Sequence, residues 1–430
     1  MPSHKKAALK TFLLVLTLLI RVAGQTTPPD AAKILALTNG NWFDGHSFKH
    51  RPVYIVHGFF SFRKPARVDE SIDLKDAFVV PPFGEAHNHN VESSPKIDSL
   101  IQRYLQHGIF YVKNPDNLPS SRLTILPKLN QPASIDVMFS NGGFTGKDGH
   151  PADVVKRNID RGTWTAAAGD GAFYYAVSNE AELEQKWPQF LSTKPDFVKT
   201  YLLFSEDYAR RKDDPQYFGW KGLHPALLKI VVQKAHAAGL RVSTHVESAA
   251  DFHNALVAGV DEINHMPGFR IEGDVTPHKI TDFEIAESDA RLAARRRVYV
   301  VTTLAGSSPP ATPDSLTERD QINRRNLALL KKYRVKLALG SDSYRSDTVP
   351  EALYLASLGV FDSAELLQMW CDSTAKTIFP RRKIGKLKDG YEASLLVLKS
   401  NPLQDFSAVQ QISIRIKQGQ ILQVDSDQKP

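Results

Sequence analysis

The chain of 430 residues contains one cysteine, Cys371, so an intramolecular disulfide is excluded. Cys371 lies in the apolar-periodic stretch 364–375, where a buried structural thiol is expected. Stability must then come from a large core, which this length allows. Long hydrophobic runs are missing as well. The run at residues 11–20 has ten residues, whereas spanning a bilayer takes about 20. No internal repeat stands out beyond an alternation of β and α patterns. Hydrophobic content of 42% and charged content of 23% are those of an ordinary globular chain.

A strong charge of one sign is also lacking. The formal charge of +7 includes Lys5, Lys6, Lys10 and Arg21 within residues 1–24, which carry no acid, and the remainder stands at +3. That gives no reason to invoke nucleic acid or an anionic membrane as partner. The Arg295–Arg297 run reads as a solvated helix end. Residues 1–24 have the form of a signal peptide: a lysine-rich start, the short apolar run, then Val22, Ala23 and Gly24 before a cleavage point at Gln25. A secreted or periplasmic protein is expected. No cysteine follows the apolar run to carry a lipid, so no membrane anchor is expected after cleavage. A homo-oligomer is compatible with the sequence.

Residues 33–80 hold short alternating runs punctuated by Asn39-Gly40, Asp44-Gly45 and His57-Gly58, which predicts a small antiparallel sheet. Residues 385–425 have the same texture, and the two halves most simply complete one β-sandwich. Between them, residues 81–380 alternate apolar strands with helical stretches, as in repeated βα units. Strands are expected over 108–112, 134–139 and 298–301, and a helix over 225–239 ended by Gly239.

Five segments of this middle region end a β-rich run with a side chain able to ligate a metal. They are His87 and His89 after 78–83, Lys199 after 197–198, His245 after 240–244, His265 after 260–264 and Asp342 after 335–341. A parallel barrel gathers such residues at its C-terminal mouth, and the 255 positions from His87 to Asp342 match the roughly 250 residues of a (β/α)8 TIM barrel. His87 and His89, two apart on a strand, point the same way. Imidazole suits zinc and similar divalent ions. His245 and His265, at successive strand ends, suit a second ion. Asp342 can hold a metal through one oxygen and accept a proton through the other, the plainer alternative being a helix N-cap. His107, His224, His236 and His253 fall in helices or before strands and are expected to be structural.

The segment Pro81–His89, Pro-Pro-Phe-Gly-Glu-Ala-His-Asn-His, resembles the first barrel strand of the amidohydrolase superfamily, commonly P-G-F-I-D-x-H-x-H. The later Lys, His, His and Asp resemble its remaining ligands in order. Residues 197–201 and the stretch ending in His150-Pro151 are most similar to the branch of imidazolonepropionase-like and Xaa-Pro dipeptidase-like enzymes. Glu85 stands where Asp is usual, and Pro82-Phe83-Gly84 replaces Gly-Phe-Ile, which bears on the hydrogen bonding behind the metals.

The resemblance implies a TIM barrel beside a β-sandwich and two divalent ions, zinc by default. His87, His89 and Asp342 would hold one ion and His245 and His265 the other. Lys199 would bridge them after carboxylation by CO2, because an ammonium cannot ligate a cation. It further implies hydrolysis of a C–N bond in a small amide, cyclic amide or dipeptide by water activated between the metals. Asp342 would relay the proton, and His150 and Tyr201 are candidate donors to the oxyanion or a substrate carboxylate. An ester or lactone hydrolase uses the same chemistry. A deaminase fits less well, because Glu247 is wrongly spaced from His245 and Lys199 is present. A silent binding barrel conflicts with the complete ligand set.

Overall fold

The computed structural model describes residues 33–92, 94–268, 274–305 and 317–424; the expected targeting segment 1–24 lies outside them. The first five strands are β1 (Leu35–Phe43), β2 (Phe48–Val56), β3 (Phe59–Ser61), β4 (Glu70–Asp73) and β5 (Phe78–Val80). Ten follow in the central region: β6 (Phe83–Glu85), β7 (Ile109–Asn114), β8 (Asp136–Phe139), β9 (Gly143–Thr145), β10 (Tyr174–Ala176), β11 (Val198–Tyr201), β12 (Val242–His245), β13 (Glu262–Asn264), β14 (Tyr299–Thr302) and β15 (Lys336–Leu339). The last three are β16 (Leu395–Leu398), β17 (Ile412–Lys417) and β18 (Gln420–Ile421).

Both ends of the chain build one eight-stranded sheet in the order β18-β17-β16-β5-β1-β2-β3, with β4 also on β1. Val79 of β5 faces Val397 of β16, and both are fully buried or nearly so. The antiparallel expectation for residues 33–80 holds for β1 with β2 and for β2 with β3. It fails for β4 and β5, which run parallel to β1. Local alternation reports a half-buried strand but not the direction of its neighbour.

The central strands pair in parallel throughout, as β6-β7-β8 and as β10-β9-β11-β12-β13-β14-β15. This is the TIM-barrel-like arrangement that the β-and-α alternation predicts. Strands such as β7, β11, β12 and β14 are buried at every position, as strands covered on both faces must be. The helix Pro225–Ala237 buries Leu227, Leu228, Val231 and Val232 and leads through Gly239 into β12. Among the described residues no helix is long and apolar enough to cross a membrane.

Two joints depart from regular pairing, and both bear on the site. The third barrel strand is broken at residues 140–142, so that β8 pairs with β7 while β9 pairs with β11. Asn117 and Asn141 satisfy the break, Asn141 N–H donating to Asn117 Oδ1 at 3.0 Å and Asn117 Nδ2 to Asn141 Oδ1 at 2.9 Å. At the second joint β15 and β6 form no ladder. Instead Ala86 N–H donates to the Leu339 carbonyl at 2.8 Å, and the Ser341 and Asp342 amides donate to the His87 carbonyl at 3.1 and 2.8 Å. The first and last barrel strands therefore meet at the level of the expected ligands.

A π-helical turn, Gln368–Ser373, backs this second joint. Trp370 stacks on Phe83 with ring centroids 3.8 Å apart and donates from Nε1 to the Gly84 carbonyl at 3.0 Å. Cys371 lies in the same turn, buried, its thiol donating to the Pro81 carbonyl at 3.3 Å.

Candidate metal centre

His87, His89, Lys199, His245, His265 and Asp342 all line one cavity of about 250 Å³ at the C-terminal ends of the barrel strands. The four imidazoles and Lys199 are buried, and the Asp342 side chain is 20% exposed at the cavity surface. One Asp342 oxygen lies 3.1 Å from His87 Nε2 and 2.8 Å from His89 Nε2. Ligand atoms of His87, His265 and Asp342 lie within 4.8 Å of one another. The His265 ring sits 4.7 Å from that of His87 and 4.3 Å from that of His245. His265 thus stands between the two expected ligand groups rather than with His245 alone.

The backbone aims these residues at some cost. His265 has φ of +75° and Asp342 has φ of +48°. Left-handed backbone at two non-glycine residues is strain of the kind that collects at functional sites. Gly340 makes the approach of β15 to His87 possible, because a Cβ there would meet His87 Cβ at 2.7 Å. Gly143 does the same for Lys199, whose Cγ would lie 3.0 Å from an added Cβ.

Glu85 holds the second joint, between β6 and β15, together. Its Oε1 accepts from Ser341 N–H at 2.9 Å and from His87 N–H at 3.2 Å, so one carboxyl ties the ligand-bearing ends of β6 and β15. Burial raises its pKa well above the usual carboxylate range. Asn88 adds to the tie by donating to Ser341 Oγ at 2.7 Å and to the Ser346 carbonyl at 2.9 Å. The alternative role for Asp342 is ruled out by position: the following helix, Thr348–Ser357, is capped by Asp347.

Electrostatics favour ligation. Burial lowers His87 to a pKa of about 3, and it holds His245 and His265 well below the usual histidine range. Neutral imidazole is the form that ligates a metal. Burial also opposes charge on His89, but the adjoining Asp342 carboxylate outweighs it and raises that pKa. Asp342 itself is held well below its usual value, because bonds to His87 and His89 outweigh its own burial. Burial lowers Lys199 to about 8. Its Nζ makes no ion pair among the described residues and donates instead to Asn264 Oδ1 at 2.8 Å. A nitrogen-rich donor set with one carboxylate fits a divalent ion such as zinc.

These shifts carry a sign. A histidine whose folded pKa is depressed from 6.5 to about 3 contributes stability that is fully present above pH 6.5 and lost as pH falls toward 3. Metal-free protein is therefore expected to lose thermal stability steadily below about pH 6.5. A melting temperature flat between pH 7 and 4 would show that these imidazoles are not buried neutral.

Beneath Lys199 the barrel interior is polar and fully connected. Glu262 Oε1 accepts from Lys113 Nζ at 2.7 Å and Asn264 Nδ2 at 2.9 Å, and the single Ser243 hydroxyl proton lies within reach of both Glu262 Oε1 at 2.8 Å and Asn264 Oδ1 at 2.7 Å. Thr377 closes the group on Glu262 Oε2. Burial disfavours the Glu262 anion, yet the Lys113 and Arg241 charges and these bonds lower its pKa to about 2.

His150 lines the cavity, with its ring 5.3 Å from that of His245. Asp153 Oδ1 holds His150 Nδ1 at 2.8 Å, and Arg157 in turn holds Asp153 Oδ2 at 2.7 Å. The Tyr201 ring lies 5.4 Å from His150 and 6.0 Å from His245, and burial keeps its hydroxyl protonated far above the usual range. Glu247 is buried against His245 Nε2 at 2.9 Å. His107, His236 and His253 pair with Asp347, Asp261 and Asp289, and His224 caps the helix Pro225–Ala237.

Asp116 was not expected. It is buried on the cavity wall, beside the Tyr201 hydroxyl. It follows β7 by two residues, so the rule that found the other strand-end residues applies to it once that strand is known to run to Asn114 rather than 112. Tyr344, whose ring stacks on His89 at 5.1 Å, and Arg157 and Phe173 complete the wall. No strand pattern marks these three.

Residues 177–422 match the Amidohydrolase family. The ochratoxinase of Aspergillus niger is 23% identical over 206 residues, 47% of this chain and 40% of that protein, so the match spans less than half of the curated relative. The solved structure of A. niger ochratoxinase superposes with a TM-score of 0.68 at 16% identity, over 91% of this chain and 96% of that one. A prolidase complexed with N-methylphosphonate-L-proline gives 0.67 at 18% identity, over 91% and 100%.

Proposed function

This chain belongs to the amidohydrolase family, and from that premise we propose that it hydrolyses a C–N bond in a small amide, cyclic amide or dipeptide with two divalent metal ions, zinc by preference. The observation that carries the reading is the convergence on one cavity of four imidazoles, Asp342 and a Lys199 whose Nζ meets the Asn264 amide and no carboxylate among the described residues. Prolidase and ochratoxinase as structural neighbours support an amide-type bond. Divalent ions bound there would polarise a carbonyl and lower the pKa of water from 15.7 to about 7.

Their convergence on one cavity supports a role for each of the chain's own residues. His87, His89 and Asp342 would hold one ion and His245 the other, with His265, which also lies beside His87 and Asp342, able to join either. Lys199, with its pKa near 8, would offer a neutral amine to CO2; the new N–C bond and the loss of one proton would leave a carbamate anion whose oxygens would serve as metal ligands, as the ammonium cannot. Asp342 takes the proton of the attacking water and passes it to the leaving nitrogen. His150, fixed by Asp153, and Tyr201, held protonated, donate to the oxyanion or to a substrate carboxylate. The lysine-rich, apolar residues 1–24 support export before activity.

Elemental analysis of saturated protein is expected to give two divalent ions per chain. A panel of dipeptides, N-acyl amino acids, cyclic amides and lactones should show hydrolysis of the nitrogen compounds that a chelator abolishes. Turnover confined to lactones or esters would overturn the amide reading, and one ion at saturation would reduce the site to a mononuclear one.

A further inference from the structure

A histidine that ligates a metal through Nε2 carries its proton on Nδ1. That N–H ordinarily meets a carboxylate, a carbonyl or a water, which fixes the plane of the ring. At His265 the Nδ1 atom has such a neighbour, Thr303 Oγ1 at 2.7 Å. His89 differs. Its Nε2 faces Asp342 Oδ1 at 2.8 Å, but its Nδ1 is buried and has no hydrogen-bond partner among the described residues. Something other than a hydrogen bond to Nδ1 has to hold the plane of this ring.

Tyr344 is placed to do so. Its ring lies on His89 with centroids 5.1 Å apart and planes 20° from parallel. A face-on contact of this kind opposes rotation of the imidazole, since turning it would break the stack. The loop that carries Tyr344 is itself braced against the His87–Asn90 segment. His89 N–H donates to the Ser343 carbonyl at 3.1 Å, and Asn88 and Asn90 both donate from Nδ2 to the Ser346 carbonyl, at 2.9 and 2.8 Å. From the helix Ile97–Gln106, Arg103 donates to the Arg345 carbonyl at 2.8 Å. Within the loop, Ser343 Oγ accepts the Arg345 and Ser346 amides at 3.1 and 2.8 Å. Tyr344 is nonetheless 53% exposed, so one face of the residue meets solvent and its removal opens no hole in the core.

We propose that Tyr344 is a positioning residue of the metal centre: its ring holds the His89 imidazole in the plane that ligation needs, in place of the hydrogen bond that Nδ1 lacks. The inference rests on the metal-dependent function proposed above and concerns the ion that His87, His89 and Asp342 would hold.

The test mixes zinc-loaded protein with an excess of a chromogenic chelator and follows the release of zinc. Tyr344→Ala should speed the release of one ion by about tenfold, the usual cost of losing the outer support of a ligating histidine. Tyr344→Leu, which keeps bulk but offers no flat face, should do the same. Tyr344→Phe should keep the parent rate, because the ring and not the hydroxyl makes the contact. Equal release from the parent, Tyr344→Ala and Tyr344→Leu overturns the inference while the metal reading stands. A Tyr344→Phe variant as fast as Tyr344→Ala also overturns it and assigns the effect to the hydroxyl. If the parent retains no zinc, the proposed function fails, and carbethoxylation of His89 by diethyl pyrocarbonate in the metal-free proteins still tests the contact. Mapped by peptide mass, it should be faster in Tyr344→Ala than in the parent or Tyr344→Phe. Equal rates would show that the ring does not cover the imidazole.

Discussion

Asp342→Asn is expected to lower kcat/KM by about 10²–10⁴, the usual cost of losing a general base. The amide oxygen can still reach the place where Asp342 Oδ1 meets His87 and His89, so much of the metal should remain. Asparagine also tolerates the left-handed backbone at this position better than most residues, so folding should be little affected. The acidic limb of the kcat/KM profile should move or vanish, because that limb reports the free enzyme's essential base. A merely structural residue would instead lower stability and leave the profile in place. Near-normal turnover by metal-loaded Asp342→Asn would remove Asp342 from the mechanism and direct the search to Glu247 or His150.

Glu262→Ala should have the largest effect on stability, a loss of about 3–5 kcal/mol, because it strands one member of a buried ion pair. Lys113 Nζ would lose its carboxylate 2.7 Å away, and Ser243, Asn264 and Thr377 would each lose an acceptor. Urea unfolding measures the effect as a lower midpoint at unchanged slope. Lys113→Met in the same background should recover part of the loss, since the uncompensated charge is then gone. The acid limb gives a second check. With a folded pKa of about 2 against an ordinary 4.5, Glu262 contributes stability that is complete above pH 4.5 and lost as pH falls toward 2. Glu262→Ala should lack that part of the acid transition. A midpoint shift below 1 kcal/mol would mean that water reaches Lys113 and replaces the carboxylate.

The gathering of His87, His89, Lys199, His245, His265 and Asp342 at one cavity was legible because each ends a β-rich run of a repeated βα pattern. The same logic failed where a strand does not look like one. The third barrel strand is split at Asn141-Gly142, and its second half, Gly143–Thr145, has too few residues to carry a period. Asp116 escaped because β7 continues two polar residues further, Lys113 and Asn114, whose partners Glu262 and the Val91 carbonyl come from elsewhere in the chain. Burial of a lysine cannot be read from its own neighbours in sequence. The departure at Glu85 was visible, but its consequence was not: the carboxyl spans from His87 to Ser341, residues that only barrel formation brings together.

The pairing of β5 with β16 also sets a timetable. Val79 must wait for Val397, 318 positions later, before its edge of the sheet is covered. At roughly 5–20 residues per second of synthesis, that edge stays open for about 16–64 s. During that interval the apolar Phe78–Val80 edge can be captured by another nascent chain in the manner of any unprotected strand. A chain shortened before Leu395 would keep every ligand-bearing residue and still never close this edge. Its failure would show as aggregation during production, long before any defect in chemistry could be measured.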